Sequence, residues 1–302
     1  MSGSAASLRR VRRRTDWSKV LLGLWTGALI FFLLVPIGFV IVHSMNGGKS
    51  FNIWKEWGGL QWYRELLDNK PLRATLVNSF KAAIGSTIIA VVIGALAGVA
   101  LVRRGGRWTG FYLATLFLVM VTPDVIDGFA LLGWFFERLP TTLHISFFRD
   151  GLFGDNGIRG GMLRMWIGHS LFSSAVVTLI VRARLQGLDE SLEEAAADLG
   201  ATPVRVFRQV TLPLMAPALM AGAMLSFSFS LDNVITSSFV GNDASTFPLY
   251  LLGTVKSSTK PTAGSGAVLL FIFTLLFAAA TVMVMKRSGQ SSSEIASNLA
   301  AG

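Results

Sequence analysis

Six stretches of this chain, approximately 20–42, 77–101, 111–136, 162–181, 214–240 and 266–285, are apolar. Each can supply the roughly 20 residues that a helix needs to cross a bilayer. The third and fifth carry polar breaks within them. The expected fold class is therefore an all-α membrane protein with six transmembrane helices. Composition agrees: 52% of the 302 residues are apolar and only 15% are charged, against roughly 25% charged in soluble domains. Mean hydropathy is +0.57.

The basic residues say which way the spans run. Arg9, Arg10, Arg12, Arg13, Arg14 and Lys19 precede the first segment. That segment is too long for the apolar core of a cleaved signal peptide and no A-x-A site follows it, so it reads as an uncleaved anchor. Arg103, Arg104 and Arg107 in "VRRGGRW" return to the same side after two spans, and Lys286 and Arg287 close the sixth. Short basic segments face the cytoplasm, so both termini are expected there. The chain then divides into a basic cytoplasmic N-terminus (1–19), a six-span domain (20–286) and a cytoplasmic, disordered tail (287–302). The formal charge of +10 reflects this flanking pattern rather than a face for nucleic acid.

Several chemistries are excluded or weakened. Cysteine is absent, which removes disulfides, thiolate metal sites and a cysteine nucleophile. His43, His144 and His169 are scattered and no H-E-x-x-H occurs, so neither a metal site nor an intramembrane enzyme is expected. "NGGKS" at 46–50 ends like a phosphate-binding loop, but the required first glycine is His43 and a spanning helix precedes it. The first external loop, about 44–76, carries Trp54, Trp57, Trp62 and Tyr63 at spacings that suit the headgroup level.

The loop between the fourth and fifth spans, "RARLQGLDESLEEAAADLGATPVRVFRQVTLPLMAP", is too polar to span and well punctuated. Ser191 and Glu194 have capping-box spacing. Leu192, Ala195, Ala196 and Leu199 recur at i, i+3, i+4 and i+7, giving a short helix one apolar face. Gly200 suits the position just past its end. Thr202 and Pro203 then start a second short helix, whose stripe of Val204, Phe207 and Val210 runs to Pro213. Two short helices meeting at a glycine make a knob, with Ala195 and Ala196 small enough for close approach by another surface.

"EAAADLGATPVRVFRQVTLP" resembles the EAA loop of binding-protein-dependent ABC importer permeases: E-A-A, three residues, Gly, nine residues, an aliphatic residue, one more, then Leu-Pro. Glu194, Ala195, Ala196, Gly200, Val210, Leu212 and Pro213 fall on that spacing, within a loop at about 189–213. In that family the short helix docks on the ATP-hydrolysing subunit and transmits its closure to the spans. "WYRELLDN", "TPDVIDGFALL", "GLDESLEEAAADLGATPVRVF" and "SLDNVITSSFVG" are similar to the spermidine/putrescine subfamily, in particular the second of its two permease types. The resemblance implies a type I importer transmembrane domain in a prokaryotic inner membrane. It also implies a second permease subunit, two copies of an ATP-binding subunit and an extracytoplasmic substrate-binding protein. ATP and Mg belong to the ATPase, so no cofactor is expected on this chain. Relatives of the same subfamily handle opine-type compounds, phosphonates, thiamine or ferric iron, and these are the alternative substrates. A channel or an intramembrane enzyme is a more distant alternative. Relatives read L-D-D where this chain has Leu231-Asp232-Asn233, and the position of Asp127 is often uncharged.

Acids inside spans ask for a reason, since a carboxylate at mid-bilayer costs about 2.5–3.5 kcal/mol even on insertion scales. Asp124 follows Pro123, which removes a helix hydrogen bond, and Asp127 lies one turn on. Asp232 is followed by Asn233 and surrounded by Ser226, Ser228, Ser230, Thr236, Ser237 and Ser238. At about 1.5 Å per residue, Asp124 and Asp232 fall at similar depth in the outer half. With little Lys or Arg inside the spans to pair with them, the four residues Asp124, Asp127, Asp232 and Asn233 are expected to line a path for a cation, which the resemblance implies is a polyamine or a similar small organic cation.

Overall fold

The computed structural model describes residues 17–48, 54–138, 160–241, 244–257 and 261–287. Over these residues every expected apolar segment is helical. The long helices are α1 (Trp17–His43), α3 (Lys70–Arg103), α6 (Gly160–Gln186), α9 (Leu212–Leu231) and α12 (Pro261–Arg287). The third segment is split into α4 (Thr109–Val121) and α5 (Asp124–Leu132), and a π-helical turn over Gly133–Arg138 continues α5. The basic N-terminus, the tail, most of the 137–161 loop with His144, and the Lys49–Ser50 end of "NGGKS" lie outside the described residues.

The spine of the domain is α3 packed along α6, with α9 against both. Glycine makes this approach possible. A Cβ on Gly94 would lie 2.6 Å from Val177 Cβ, and one on Gly98 would lie 2.6 Å from Val181 Cγ1. The two glycines have the G-x-x-x-G spacing that lets helix backbones meet in lipid. Ala90, Val177, Val181, Leu185 and Met215 fill the seam. Helix α3 is 34 residues long, about 51 Å, so it overshoots a hydrocarbon core of about 30 Å. By contrast α1 buries no residue and touches the rest of the chain mainly along α12.

The first external loop is more built than an interfacial belt requires. Its short helix α2 (Gln61–Asp68) packs on α12. Trp62 donates its indole N–H to the Asn46 carbonyl, and the Tyr63 and Ser44 hydroxyls are 2.7 Å apart. These bonds tie α2 to the end of α1. Trp57 remains exposed and meets Trp54 edge-on at 4.9 Å. Asn69 ends α2 and caps α3, its side chain accepting from the Leu72 amide at 3.3 Å, with Pro71 in the first turn. A further helix, α11 (Phe247–Ser257), lies between the fifth and sixth spans and packs on α3. Its Phe247 joins Leu66, Leu72 and Leu76 in one cluster. The sequence reading gave no element there.

The cytoplasmic loop forms α7 (Ser191–Asp198) and α8 (Pro203–Val206). The capping box does not form. Ser191 is already helical, and its amide donates to the Asp189 carboxylate at 2.9 Å, which holds Asp189 below its ordinary pKa. The earlier acid wins because it can cap from outside the first turn while Ser191 takes helical backbone angles. The C-terminal expectation holds. Gly200 has φ +82°, the Ala201 amide bonds the Ala196 carbonyl at 3.1 Å, and the Gly200 amide bonds Ala197 at 2.9 Å. That pair of bonds is a Schellman closure, which glycine enters without strain.

Pro213 does not end the second short helix. From Pro203 the chain stays helical to Leu231, 29 residues in all, through a π turn at Phe207–Thr211. The Leu212 amide reaches back five residues to the Phe207 carbonyl. The wider turn changes the register just where Pro213 has no N–H to give. The EAA loop is thus mechanically continuous with the fifth span.

Candidate translocation site

Two spans break, and each break sits at an expected acid. Thr122 and Pro123 are extended (ψ 128° and 136°), as the restriction on a residue before proline demands. The axis turns by 101° between α4 and α5. Asp124 opens α5 and Asp127 lies in its first turn, where the helix dipole favours negative charge. In the fifth segment α9 stops at Leu231, and Asp232 takes the end position. The chain resumes as α10 (Ile235–Val240), with the Asn233 side chain accepting from the Thr236 amide at 2.9 Å.

The short halves α5 and α10 pack together. Gly128 permits this, because a Cβ there would lie 2.5 Å from the Phe239 ring. The result is a cavity of about 420 Å³, lined by Asp124, Asp127, Asp232 and Asn233 together with His169, Phe172, Ser173 and Phe229. That volume is within the usual range of small-molecule sites. All four residues expected on a path therefore border one space, and the similar depth expected for Asp124 and Asp232 agrees with this. Phe172 and Phe229 form an apolar wall, edge to face at 5.5 Å.

Two residues in these spans escaped the sequence reading. His169 is 3% exposed. Its Nδ1 is 2.7 Å from Ser230 Oγ and its Nε2 is 3.0 Å from Ser237 Oγ. Ser237 also donates to the Asn233 carbonyl at 2.6 Å. One imidazole on α6 thus holds both sides of the break in the fifth span. The serines near Asp232 were the available signal, but only packing pairs them with a histidine 61 and 68 positions away. The second is Arg164, also inside the fourth span, which is 2% exposed and donates from Nε to the Val240 carbonyl at 3.2 Å. The expectation of little buried Lys or Arg is corrected here. A cation does sit within a span, and one of its bonds secures the last residue of α10.

At the other end of the bundle Arg103 donates to Glu190 at 2.5 Å and to Glu193 at 2.7 Å. Glu193 also accepts from Thr211 Oγ1 at 2.8 Å. The apolar face of α7 is turned outward: Leu199 is 89% exposed and Leu192 49%. Of the EAA positions, Glu194, Ala195 and Gly200 are exposed and Ala196 half-buried, while Val210, Leu212 and Pro213 belong to the π turn and the start of α9.

Comparison with known proteins agrees with this architecture. Residues 90–290 match the model of a family described as the binding-protein-dependent transport system inner membrane component. The chain belongs to that family. It is a multi-pass membrane permease, and not an enzyme. It is 34% identical over 269 residues to the putrescine transport system permease protein PotI of Escherichia coli K12, covering 85% of this chain and 86% of that one. It is 32% identical to the spermidine/putrescine transport system permease protein PotC of the same strain, over 89% of this chain and 95% of that one. Among solved structures, a bacterial ABC transporter that imports the acidic polysaccharide alginate contains a chain superposing with a TM-score of 0.68. The overlap is 90% of this chain and 96% of that one, at 13% identity. The permease therefore has the fold of a type I ABC importer transmembrane domain.

Proposed function

We propose that this permease carries a polyamine, putrescine or spermidine, or a similar small organic cation, through an ATP-driven importer. The observation that carries the reading is the cavity where two broken spans present Asp124, Asp127 and Asp232 around one space. A cation that sheds part of its water needs replacement oxygens, and carboxylates with a nearby amide and hydroxyl supply them. Asn233 offers a neutral oxygen beside Asp232, and the Phe172–Phe229 wall suits the methylene chain between ammonium groups. A few acids along an open wall also allow release, which one tight cage would hinder. The names of the putrescine and spermidine/putrescine relatives point to the same substrate class.

In this reading the exposed face of α7 docks on an ATP-hydrolysing subunit, two copies of which bind ATP and Mg. Glu194, Ala195, Ala196 and Gly200 form the contact. Val210, Leu212 and Pro213 pass the movement into the fifth span. A second permease subunit completes the pore, a binding protein delivers substrate from outside, and both termini face the cytoplasm of a prokaryotic cell.

Asp232→Asn and Asp124→Asn test the charge while preserving size. Uptake of putrescine or spermidine should fall at least several-fold with expression unchanged. Parental uptake in both variants would make the acids structural.

A further inference from the structure

A second concavity lies at the opposite end of the bundle, in the hairpin that joins α3 to α4. It is a groove of about 330 Å³ bordered by Ala97, Ala100, Leu101, Arg104, Gly106, Trp108, Thr109 and Tyr112. The hairpin is pinned: the Gly106 amide donates to Thr109 Oγ1 at 2.9 Å, and the Thr109 amide donates back to the Gly106 carbonyl at 3.0 Å. Of its three arginines, Arg103 is committed to Glu190 and Glu193. Arg104 and Arg107 are exposed, and among the described residues neither pairs with a carboxylate. Arg107 lies over the Trp108 ring, 5.6 Å from its centroid, which fixes a cation beside the groove mouth.

We propose that this groove is a binding site for an anionic phospholipid. The groove is amphiphilic in the order a lipid requires. Ala97, Ala100 and Leu101 belong to the apolar flank of α3 and offer a floor for an acyl chain. Trp108 and Tyr112, which also line the groove, are the aromatic types enriched at the headgroup level. Arg104 lines the groove, and Arg107 adds positive charge from its neighbouring place on the hairpin, over the Trp108 ring; Arg gives a forked, charge-assisted match to phosphate oxygens. Basic pockets between spanning helices at the inner surface bind anionic headgroups for this reason. Only the assignment to the inner leaflet rests on the orientation given above; the groove and its charge do not. Because the neighbouring residue Arg103 bonds Glu193 of α7, and the same carboxylate accepts from Thr211 of the π turn, an occupied groove would also steady the joint that carries the EAA loop.

The test uses the assembled importer purified in neutral detergent, so that partner subunits occupy whatever surface they cover. Native mass spectrometry with phosphatidylglycerol and phosphatidylcholine in competition should show preferential retention of phosphatidylglycerol. The Arg104→Gln/Arg107→Gln variant should lose about tenfold or more of that affinity, with phosphatidylcholine retention unchanged. A photo-crosslinking residue at Ala100 should capture phospholipid. Equal retention of the two lipids by the parent, or unchanged phosphatidylglycerol retention in the double variant, would overturn the site. So would crosslinking of Ala100 to a protein subunit or to a second copy of this chain. None of these outcomes depends on polyamine transport, so failure here is separable from failure of the transport reading.

Discussion

Arg103 Nη2 lies 2.7 Å from Glu193 Oε1, joining the last residue of α3 to the third residue of the EAA helix. The same carboxylate oxygen receives the Thr211 hydroxyl from the π turn. Three segments distant in sequence therefore share one acid, and both charged side chains are largely shielded, with 19% and 23% exposure. Removing either partner leaves the other charge poorly solvated, which is more damaging than loss of a surface pair. Arg103→Ala and Glu193→Ala should each leave the permease inserted but reduce substrate-stimulated ATPase activity and uptake together. The charge swap Arg103→Glu/Glu193→Arg should recover part of both. Wild-type coupling in the single variants would show that the joint is dispensable.

Gly200 tests the other end of the same helix. A Cβ there meets nothing of this chain within 4 Å, so within the permease the cost comes from the backbone. An L-residue held in the left-handed region costs about 1–2 kcal/mol, and Asn tolerates it best. Gly200→Val should impair uptake at normal expression, and Gly200→Asn should impair it less. The ranking of uptake rates at equal membrane abundance checks this, and the same loss in both variants would point to the side chain instead.

Gly94 and Gly98 let α3 and α6 touch. Gly94→Leu must push Val177 away over the whole seam, and overpacking of this kind typically costs about 1–3 kcal/mol or more. The expected result is a lower thermal midpoint in detergent and reduced yield. Leucine at the neighbouring Ala95, which is half-buried, should be milder. Equal midpoints for the two variants would remove the close-packing argument.

His169 holds the broken fifth span through two hydroxyls. His169→Ala frees Ser230 and Ser237 and should loosen the placement of Asp232, raising the substrate concentration for half-maximal uptake more than it lowers the maximal rate. His169→Gln, with donor and acceptor on one side chain, should restore part of the apparent affinity. A purely structural histidine would instead lower protein abundance and leave the half-maximal concentration unmoved.

Much of this fold is legible in local sequence. The spans follow from apolar runs, and the break at Asp124 follows from Pro123, whose missing N–H acts on its own turn. Gly200 is readable because a helix stop is a local event. The capping box was misread because Asp189 and Ser191 compete for the same amides, and spacing alone does not rank them. The continuity from Pro203 to Leu231 was missed because a proline reads as a stop unless a π turn shifts the register around it. The G-x-x-x-G of Gly94 and Gly98 was present in the sequence, although nothing local said which helix it would meet.

The sequence by itself determined the membrane class, the location of the acids and the EAA spacing, since each is a pattern within one contiguous stretch of about twenty residues. Tertiary structure decided that the two broken spans face each other across one cavity. It also decided that His169 bridges the second break, that Arg164 holds the far end of α10, and that Arg103 connects α3 to the EAA loop. Those contacts join residues 76 and 90 positions apart for Arg164 with Val240 and Arg103 with Glu193. Their energy depends on burial and geometry that exist only once the helices have packed.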